Sequence, residues 1–301
     1  AYSMIAYQLA YLKAHYPLYF MAALLTSAIG NDVKIAQYAR ELQQMGIKLL
    51  PPSINKSAFS FQPEGDAVRY SLAGIKGVGI AALKEIFQAR RNQPFKDIFD
   101  FCIRLPQKAA SRKVLEALIY SGAFDEFGQD RAVLLATVDV AIEHAQLVAP
   151  DDSGQIDMFA EAEFSLKPKY TEVDPMRIED KLSLEKDVLG VYLSKHPASI
   201  YEKEFNAAGV KKIASKPPGS KVRLGVYITE DKKIRTKKGE AMAFLTISDA
   251  SGETDAVVFP SVYKQYGNVL GQGKMALLEG KFDEREGKSQ FIVNQVLELD
   301  R

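Results

Sequence analysis

The sequence predicts an α+β protein of several domains, in which a helical N-terminal part precedes a C-terminal, five-stranded β-barrel. Helical apolar periodicity, broken at prolines and glycines, extends over residues 1–46 and 73–148. Alternating apolar and polar residues, separated by turn residues, fill residues 220–299. A stretch rich in acids and prolines lies between the two parts. A chain of 301 residues has room for two or three domains.

Residues 1–52 are predicted to form a domain of three helices. The first helix should end before Pro17, because a proline disfavours the α conformation in the residue that precedes it. Asn31 or Asp32 can cap the third helix, which we expect to close at Gly46.

Residues 53–148 are predicted to form a second domain, which begins with a β-hairpin and continues as helices. Residues 58–72 alternate between apolar and polar side chains on both sides of a Pro-Glu-Gly-Asp turn sequence at 63–66. Helical periodicity then returns, with interruptions at glycines and prolines.

The segment from Ile75 to Gly79 has the sequence Ile-Lys-Gly-Val-Gly and precedes a helix. Glycine permits positive φ, which we expect at Gly79, and it lets a phosphate approach the backbone and the unpaired N–H groups of the next helix. Together with a lysine, this pattern is typical of the helix-hairpin-helix motif, which holds DNA by its phosphates without recognising bases. Residues 112–125 can form a second, degenerate hairpin packed on the first. The residues predicted to bind DNA in the first hairpin are Lys76, Gly77, Val78 and Gly79.

Two other interpretations of this segment stay open: a purely structural turn and a dinucleotide-binding loop. The spacing Gly77-x-Gly79-x-x-Ala82 also fits the Rossmann fingerprint. That fingerprint requires a buried strand before it and an acid at the end of a second strand. Residues 68–71 alternate instead, and Asp97 lies in a helical pattern. The hairpin is therefore the favoured hypothesis.

Residues 149–180 are predicted to form an acidic, loosely ordered arm. From Asp151 to Asp187 there are eleven acids and five bases, and apolar residues are few. Within the arm, residues 155–159 have the sequence Gln-Ile-Asp-Met-Phe. Large apolar side chains in a polar arm lower solubility unless a partner buries them, and a glutamine beside Met and Phe suits a polar notch next to an apolar pocket. The residues predicted to bind a partner are Gln155, Asp157, Met158 and Phe159.

Residues 181–219 are predicted to connect the arm to the last domain through a helix and a linker. The helix should end at His196-Pro197, and Pro217-Pro218-Gly219 marks the final boundary.

Residues 220–301 are predicted to form the barrel. The order β-β-β-α-β-β is typical of an oligonucleotide-binding (OB) fold. Although the formal net charge is only +1, residues 211–240 contain ten bases and three acids, with a basic turn predicted between the first two strands. This turn flanks the ligand face of an OB fold, which usually stacks bases on aromatic rings. Core burial is the alternative for each candidate aromatic residue, namely Tyr227, Phe244, Phe259, Phe282 and Phe291. The residues predicted to bind nucleic acid are Lys232, Lys233, Arg235, Lys237, Lys238 and Phe244.

The composition excludes several kinds of site. The single cysteine, Cys102, excludes an intramolecular disulfide bond and a cysteine-based zinc site, and we expect it to be buried. A lone cysteine fits a reducing, cytoplasmic setting. No apolar run reaches the roughly 18 residues of a membrane span, so no membrane partner is expected. We identify no set of converging carboxylates, and we therefore predict neither a catalytic site nor a metal site.

Several strings of residues, in one order, resemble the alpha-subunit family of bacterial DNA polymerase III, the C-family replicative polymerases. Residues 2–23 resemble the end of the fingers region, to which residues 1–52 are then assigned, and residues 50–55 resemble its link into the hairpin domain. One departure is mild: Ser111 stands where family members often have asparagine. The other matching segments are 73–79, 112–125, 155–159 and 189–197.

The resemblance implies a DNA-directed DNA polymerase, a nucleotidyltransferase, whose palm carboxylates and Mg²⁺ lie outside this chain. The chain itself is then expected to be catalytically inactive and to need no cofactor. Its implied partners are duplex DNA, single-stranded DNA and, through residues 155–159, the sliding clamp (the beta subunit). Other replisome subunits would bind regions that the chain lacks.

The sequence thus predicts a DNA-binding and clamp-tethering portion of a bacterial replicative DNA polymerase. Two hypotheses from other classes stay open. One is an enzyme fragment that binds nucleotides through Lys and Arg residues near its N-terminus. The other is a repair or RNA-binding protein that reuses the hairpin and the OB barrel.

Overall fold

The structure is a computed structural model that describes residues 2–148, 168–285 and 287–297. The chain divides into two compact units, Ala1–Ser194 and Lys195–Arg301. The finer division into five segments stays a prediction.

Three helices begin the N-terminal unit: α1 (Tyr2–His15), α2 (Pro17–Ser27) and α3 (Asp32–Gln44). Helix α1 ends just before Pro17, as predicted. The side chain of Asn31 caps α3 by accepting a hydrogen bond of 3.1 Å from the backbone N–H of Lys34. In the described residues, α1 buries no side chain, whereas α2 buries Met21 and Leu25 in the core.

A small three-stranded sheet follows, formed by β1 (Leu49–Leu50), β2 (Gln62–Glu64) and β3 (Ala67–Arg69). Strands β2 and β3 form the predicted antiparallel hairpin, and β1 pairs with β3 in parallel. The pairing places β3 in the middle of the sheet.

The described residues of this unit contain five further α-helices, and their apolar faces share one core with α2 and α3. Burial raises the pKa of the Cys102 thiol in this core to about 12, so this cysteine is an inert, buried residue, as predicted. The helices are α4 (Ile80–Arg90), α5 (Ile98–Arg104), α6 (Arg112–Ser121), α7 (Arg131–Val148) and α8 (Ile178–Leu189).

Helix α8, which was predicted as part of a connecting segment, packs into this core. Its Val188 and Leu189 are buried. The hydroxyl of Tyr70 donates to the carbonyl of Leu189 at 2.6 Å. Arg131 of α7 and Glu185 of α8 are 3% and 1% exposed and form an ion pair of 3.2 Å. Removal of either partner would leave an uncompensated buried charge, which is costly.

The C-terminal unit is a closed five-stranded barrel with strand order β4-β5-β6-β8-β7. The helix α10 (Pro260–Tyr266) lies between β6 and β7 in the chain, so the predicted order β-β-β-α-β-β is confirmed. A short helix α9 (Glu202–Ala207) precedes the barrel, and its Phe205 ring occupies the space that a side chain at Gly225 would need. The strands are β4 (Val222–Arg235), β5 (Ala241–Asp249), β6 (Gly252–Val258), β7 (Met275–Arg285) and β8 (Lys288–Leu297).

None of the helices in the described ranges combines the length and apolar character needed to cross a membrane.

Candidate nucleic-acid interface

The predicted DNA-binding hairpin lies between β3 and α4. Its two apolar residues, Ile75 and Val78, are buried, with 2% and 7% of their surface exposed. The backbone N–H of Val78 donates to the carbonyl of Ile75 at 3.3 Å, which closes a tight turn. Lys76, Gly77 and Gly79 are exposed. The buried side chains therefore anchor the loop while its polar backbone faces solvent.

The positive φ of this loop belongs to Gly77, at +97°, and the prediction of a positive φ at Gly79 is wrong. Gly79 has φ −78° and ψ 162°, an extended conformation that any residue adopts. The chain reverses at Gly77 because it passes close to α6 there: a Cβ at Gly77 would lie 3.0 Å from the Cβ of Ala117. By Gly79 the backbone is already entering α4.

The start of α4 offers backbone donors to solvent. Gly79 is its N-cap residue and has no side chain with which to cap the helix. Ile80 and Ala81 are exposed although both are apolar. The N–H groups in the first turn of a helix have no acceptor within the helix, and the helix dipole makes this end favourable for an anion. A phosphate could therefore bind here through the backbone.

The ammonium group of Lys76 forms an ion pair with Asp32 of α3. Both side chains are about half exposed, 53% for the lysine and 46% for the aspartate, so water screens the pair and its strength is small. The backbone N–H of Lys76 donates to Val188 of α8 at 2.9 Å. Thus the backbone of this residue is fixed, while its ammonium group is shared with a carboxylate.

Lys113 is a further basic residue at this loop that the sequence prediction missed. Its carbonyl oxygen is 3.9 Å from the Cβ position built at Gly77, and its side chain is exposed. Residues 112–125, predicted as a second hairpin, form α6 and a 3₁₀ turn that leads to α7. The contact between Gly77 and Ala117 joins α6 to the first hairpin.

The structural context of a dinucleotide-binding loop is absent from the described part of the N-terminal unit. The strand before the glycines, β3, has three residues and belongs to a three-stranded sheet. Asp97 is the N-cap of α5, and its side chain accepts a hydrogen bond of 2.7 Å from the N–H of Asp100. It caps a helix and does not end a strand.

In the barrel, the basic segment extends a strand and is not the turn that the sequence predicted. Lys232 pairs with Phe244, Lys233 with Ala243 and Arg235 with Ala241 across β4 and β5. The turn is limited to residues 236–240, where the N–H of Thr236 donates to the carbonyl of Glu240 at 2.9 Å. The prediction was wrong because β4 keeps pairing with β5 as far as Arg235, beyond Tyr227, where its pairing with β7 ends.

The paired strands β4 and β5 form a two-stranded ribbon that ends at the turn of residues 236–240. Two of the basic residues lie at its tip. Lys237 and Lys238 are exposed in the turn. Lys233 approaches Asp231 at 3.7 Å, and the aspartate side chain is only 9% exposed. One oxygen of that carboxylate is buried without a partner among the described residues. Sequence reasoning did not identify Asp231, since an acid next to a run of basic residues is an ordinary feature of an exposed segment.

The five aromatic candidates of the barrel separate into buried and exposed residues. Phe291 is fully buried, and Phe282 packs against the same core. Tyr227 is half-buried, with its ring centroid 6.5 Å from that of His196. Phe259 is 38% exposed as the N-cap residue of α10. Phe244 is 43% exposed in the middle of a strand, which makes it the best placed of the five to stack on a base.

The candidate partner-binding residues Gln155, Asp157, Met158 and Phe159 lie outside the described residues. Within the described ranges there is no group of His, Cys, Asp and Glu side chains that could hold a metal ion.

Two family models match the chain. The first, described as a helix-hairpin-helix motif, matches residues 46–134. The second, described as an OB-fold nucleic acid binding domain, matches residues 222–299. The predicted fold class, a helical part with a hairpin motif followed by a five-stranded OB barrel, is confirmed by these matches and by the barrel topology.

Three curated relatives carry the same name. The chain is 52% identical over 297 residues to DNA polymerase III subunit alpha of Bacillus subtilis, covering 98% of this chain and 26% of the relative. It is 39% identical over 302 residues to the subunit of Halalkalibacterium halodurans, covering 99% of this chain and 27% of the relative. For the subunit of Staphylococcus aureus strain MSSA476, the identity is 38% over 304 residues, with 99% of this chain and 27% of the relative covered. The chain thus spans about a quarter of the length of these relatives, and the resemblance found in its motifs is confirmed.

Proposed function

We propose that this chain, which is homologous along nearly its whole length to a section of DNA polymerase III alpha subunits, holds DNA for a replicative polymerase. The hairpin binds the backbone of duplex DNA, the barrel binds single-stranded template, and residues 155–159 tether the chain to a sliding clamp. The observation that carries the proposal is the presence of two nucleic-acid modules in one chain, each with a basic, exposed loop.

The hairpin suits duplex DNA because it offers backbone N–H groups at a fixed position, and these donors suit phosphate oxygens. A phosphate at the start of α4 would accept hydrogen bonds from the first-turn N–H groups. Lys76 lies in the loop, and the backbone of Lys113, whose side chain is exposed, lies beside Gly77. Contacts of this kind depend on the spacing of phosphates along the duplex and carry no sequence information.

The barrel suits single-stranded DNA because an exposed aromatic residue, Phe244, lies opposite a cation on the paired strand. Phe244 and Lys232 are directly opposite each other on paired strands. An exposed ring can stack on any base, and neighbouring cations can bind the phosphates on either side. Lys237 and Lys238 extend the positive surface to the tip of the ribbon.

Salt titrations on the complete chain test the DNA-binding part of the proposal. We expect fluorescence anisotropy to show binding of both a duplex and a single-stranded oligonucleotide, with affinities that fall steeply as salt increases, because phosphate contacts release counterions. If the chain binds neither the duplex nor the single strand at low ionic strength, the proposed DNA-binding function is wrong.

The proposed clamp contact rests on the composition of residues 155–159 and on the family resemblance. Burial of Met158 and Phe159 in a clamp pocket is worth roughly 1.5–3 kcal/mol each, from which the ordering of the segment subtracts. We therefore propose a weak contact, on the order of micromolar, that strengthens when clamp and polymerase share one DNA.

Changing both Met158 and Phe159 to alanine should abolish capture of the chain by immobilised clamp, while bare-DNA binding and thermal stability stay unchanged. The matched control is Phe164→Ala, which removes an aromatic residue from the same segment outside the motif and should leave capture intact. Loss of thermal stability in the double variant, together with no capture of the unmodified chain, would show that Phe159 is a structural anchor instead.

For the whole protein we propose DNA-directed DNA polymerase activity, in keeping with the name of the relatives. Mg²⁺ and the carboxylates that bind it would then belong to the rest of the polypeptide. Purified chain should accordingly show no nucleotide incorporation on a primed template, whereas the complete subunit should extend the primer.

A further inference from the structure

A row of five side chains, one from each strand, crosses the barrel on the side away from its core; Phe244 and two lysines of this row are exposed, whereas Val257 is buried. Phe244 lies opposite Lys232 of β4 on one side and Val257 of β6 on the other. The row continues through Ile292 of β8 to Lys281 of β7. Successive side chains of a strand point to opposite faces, and the next residues on three of these strands point into the core: Leu245, Ala256 and Phe291. We call this set the apolar row.

A second row of outer side chains lies two residues further along each strand and is polar. Asp255 of β6 is opposite Thr246 of β5 and Gln290 of β8. Asp255 is exposed, and its two neighbours are half-buried. Among the described residues, the carboxylate of Asp255 has neither a hydrogen bond nor an ion pair. It is therefore an acceptor that a ligand can reach. Glu230 of β4 and Asp283 of β7, which are opposite Thr246 and Gln290, complete the row, and Asp255 lies at its centre. We call these five residues the polar row.

The two rows are close enough to contact one nucleotide. Phe244 and Asp255 are diagonal neighbours on paired strands, a relation that separates Cα atoms by roughly 7–8 Å. A base stacked on the Phe244 ring would extend its hydrogen-bonding edge beyond the ring. The polar row lies within reach of that edge.

The charges of the two rows favour one orientation of a bound strand. Lysines stand at both ends of the apolar row, Lys232 and Lys281, and both are exposed. Phosphates are attracted to these ends and repelled by Asp255. The base edge, and not the sugar-phosphate backbone, should therefore face the polar row.

An ionised carboxylate accepts hydrogen bonds and cannot donate them. Cytosine, adenine and guanine carry an exocyclic amino group that donates to such an acceptor. Uracil and thymine have a carbonyl oxygen in place of the amino group of cytosine, and their remaining donor, N3–H, lies between two carbonyl oxygens that repel a carboxylate. We propose that this face of the barrel selects single strands whose bases carry an exocyclic amino group, with Asp255 as the selecting residue. The proposal rests on the proposed function of the barrel as a single-strand site.

Cytosine and uracil give a matched pair of probes, because cytosine carries an amino group at the ring position where uracil carries a carbonyl oxygen. We would titrate the complete chain with fluorescein-labelled oligodeoxycytidine and oligodeoxyuridine of about 12 nucleotides, within the usual site size of an OB fold. A slightly alkaline buffer keeps cytosine neutral. The expected result is about fivefold tighter binding of the deoxycytidine strand, somewhat less than a good bidentate contact provides.

Asp255→Asn should abolish this preference, because an amide can both donate and accept. The control is Glu240→Gln, which removes a carboxylate from the basic turn between β4 and β5. This change should tighten binding of both strands equally and leave their ratio unchanged. Circular dichroism would confirm that both variants keep the barrel.

Equal binding of the two strands by the unmodified chain, or a ratio unaffected by Asp255→Asn, would overturn the proposed base selection. Neither result would bear on the proposed single-strand function of the barrel. Phe244→Ala separates this result from failure of the proposed function. If that variant weakens both strands by about tenfold or more, as expected for a lost stacking contact, the barrel is the single-strand site. The barrel function and the base selection both fail if the unmodified chain binds neither strand. They also both fail if Phe244→Ala binds each strand as tightly as the unmodified chain does.

Discussion

The hairpin and the barrel expose positive charge in two different ways. At the hairpin, the loop backbone is anchored by the buried side chains of Ile75 and Val78, and the lysine beside them is already paired with Asp32. On the barrel, several cations project from a β-ribbon, and Lys237 and Lys238 occupy its exposed tip. DNA binding by the hairpin should therefore depend on backbone geometry, whereas DNA binding by the ribbon should depend on the number of its charges.

This difference predicts that DNA binding at the two sites responds to different changes. Backbone N–H groups held by a packed core are already ordered before a phosphate binds, and a change in packing moves them. Long side chains at an exposed tip lose conformational entropy on binding, and salt screens their charges. The hairpin should thus be sensitive to substitutions in its turn, and the ribbon to charge and ionic strength.

The largest expected effect is that of Gly77→Val. A valine would have to adopt φ +97° and would place its Cβ 3.0 Å from that of Ala117, so we expect a loss of about 2–4 kcal/mol in the free energy of unfolding. Duplex binding should fall with it. Urea denaturation measures the first effect and anisotropy the second.

Gly79→Ala is the control for this substitution, because Gly79 is extended and a Cβ there meets open space. Its cost should be below about 1 kcal/mol, the usual difference between glycine and alanine at an N-cap. Similar stability losses at the two glycines would contradict the assignment of the strained turn to Gly77.

Reversal of the ribbon charges should give the next largest effect. With Lys237→Glu and Lys238→Glu together, we expect about tenfold weaker binding of single-stranded DNA, or roughly 1.4 kcal/mol, and a flatter dependence on salt. Duplex affinity should change much less. An equal loss for both kinds of DNA would break the distinction between the two modules.

Removal of the hairpin lysine should have a smaller effect, confined to the duplex. Lys76→Gln should weaken duplex binding about threefold and reduce the slope of log affinity against log salt by about 1. Single-strand binding should stay unchanged. Lys96→Gln, at an exposed lysine before α5, is the control for charge alone, and an identical loss there would contradict a specific role for Lys76.

The smallest expected effect is that of Asp32→Asn, which frees the ammonium group of Lys76 from its ion pair. Because the pair is half exposed, it is weak, and duplex affinity should rise only about twofold. Asp66→Asn removes an equal charge from the exposed turn between β2 and β3. A larger gain in duplex affinity from Asp66→Asn than from Asp32→Asn would show that the overall charge of the chain, and not the ion pair of Lys76, controls duplex binding.

Much of the fold was predictable because local chemistry decides it. Pro17 ends a helix and Asn31 caps another through interactions within a few residues. The period-2 alternation of the barrel strands follows directly from one face being buried. These signals lie in adjacent residues, so they are visible before any tertiary contact is known.

The errors occurred where distant segments meet. The turn glycine with positive φ is Gly77 because Ala117 of α6 lies against it, a contact between residues 40 positions apart. The extension of β4 through Lys232 and Arg235 depends on pairing with β5. No local pattern contains either partner.

By itself, the sequence determined the order of the modules, the hairpin and ribbon that carry the basic residues, and the family to which these motifs are similar, since each depends on neighbouring residues or on recognisable strings. Only the tertiary structure decided which of these residues share a surface. It paired Lys76 with Asp32, brought Lys113 to the hairpin, buried Phe291 and left Phe244 exposed. The physical reason is that burial and charge pairing depend on distances in space, which strand register and helix packing set together.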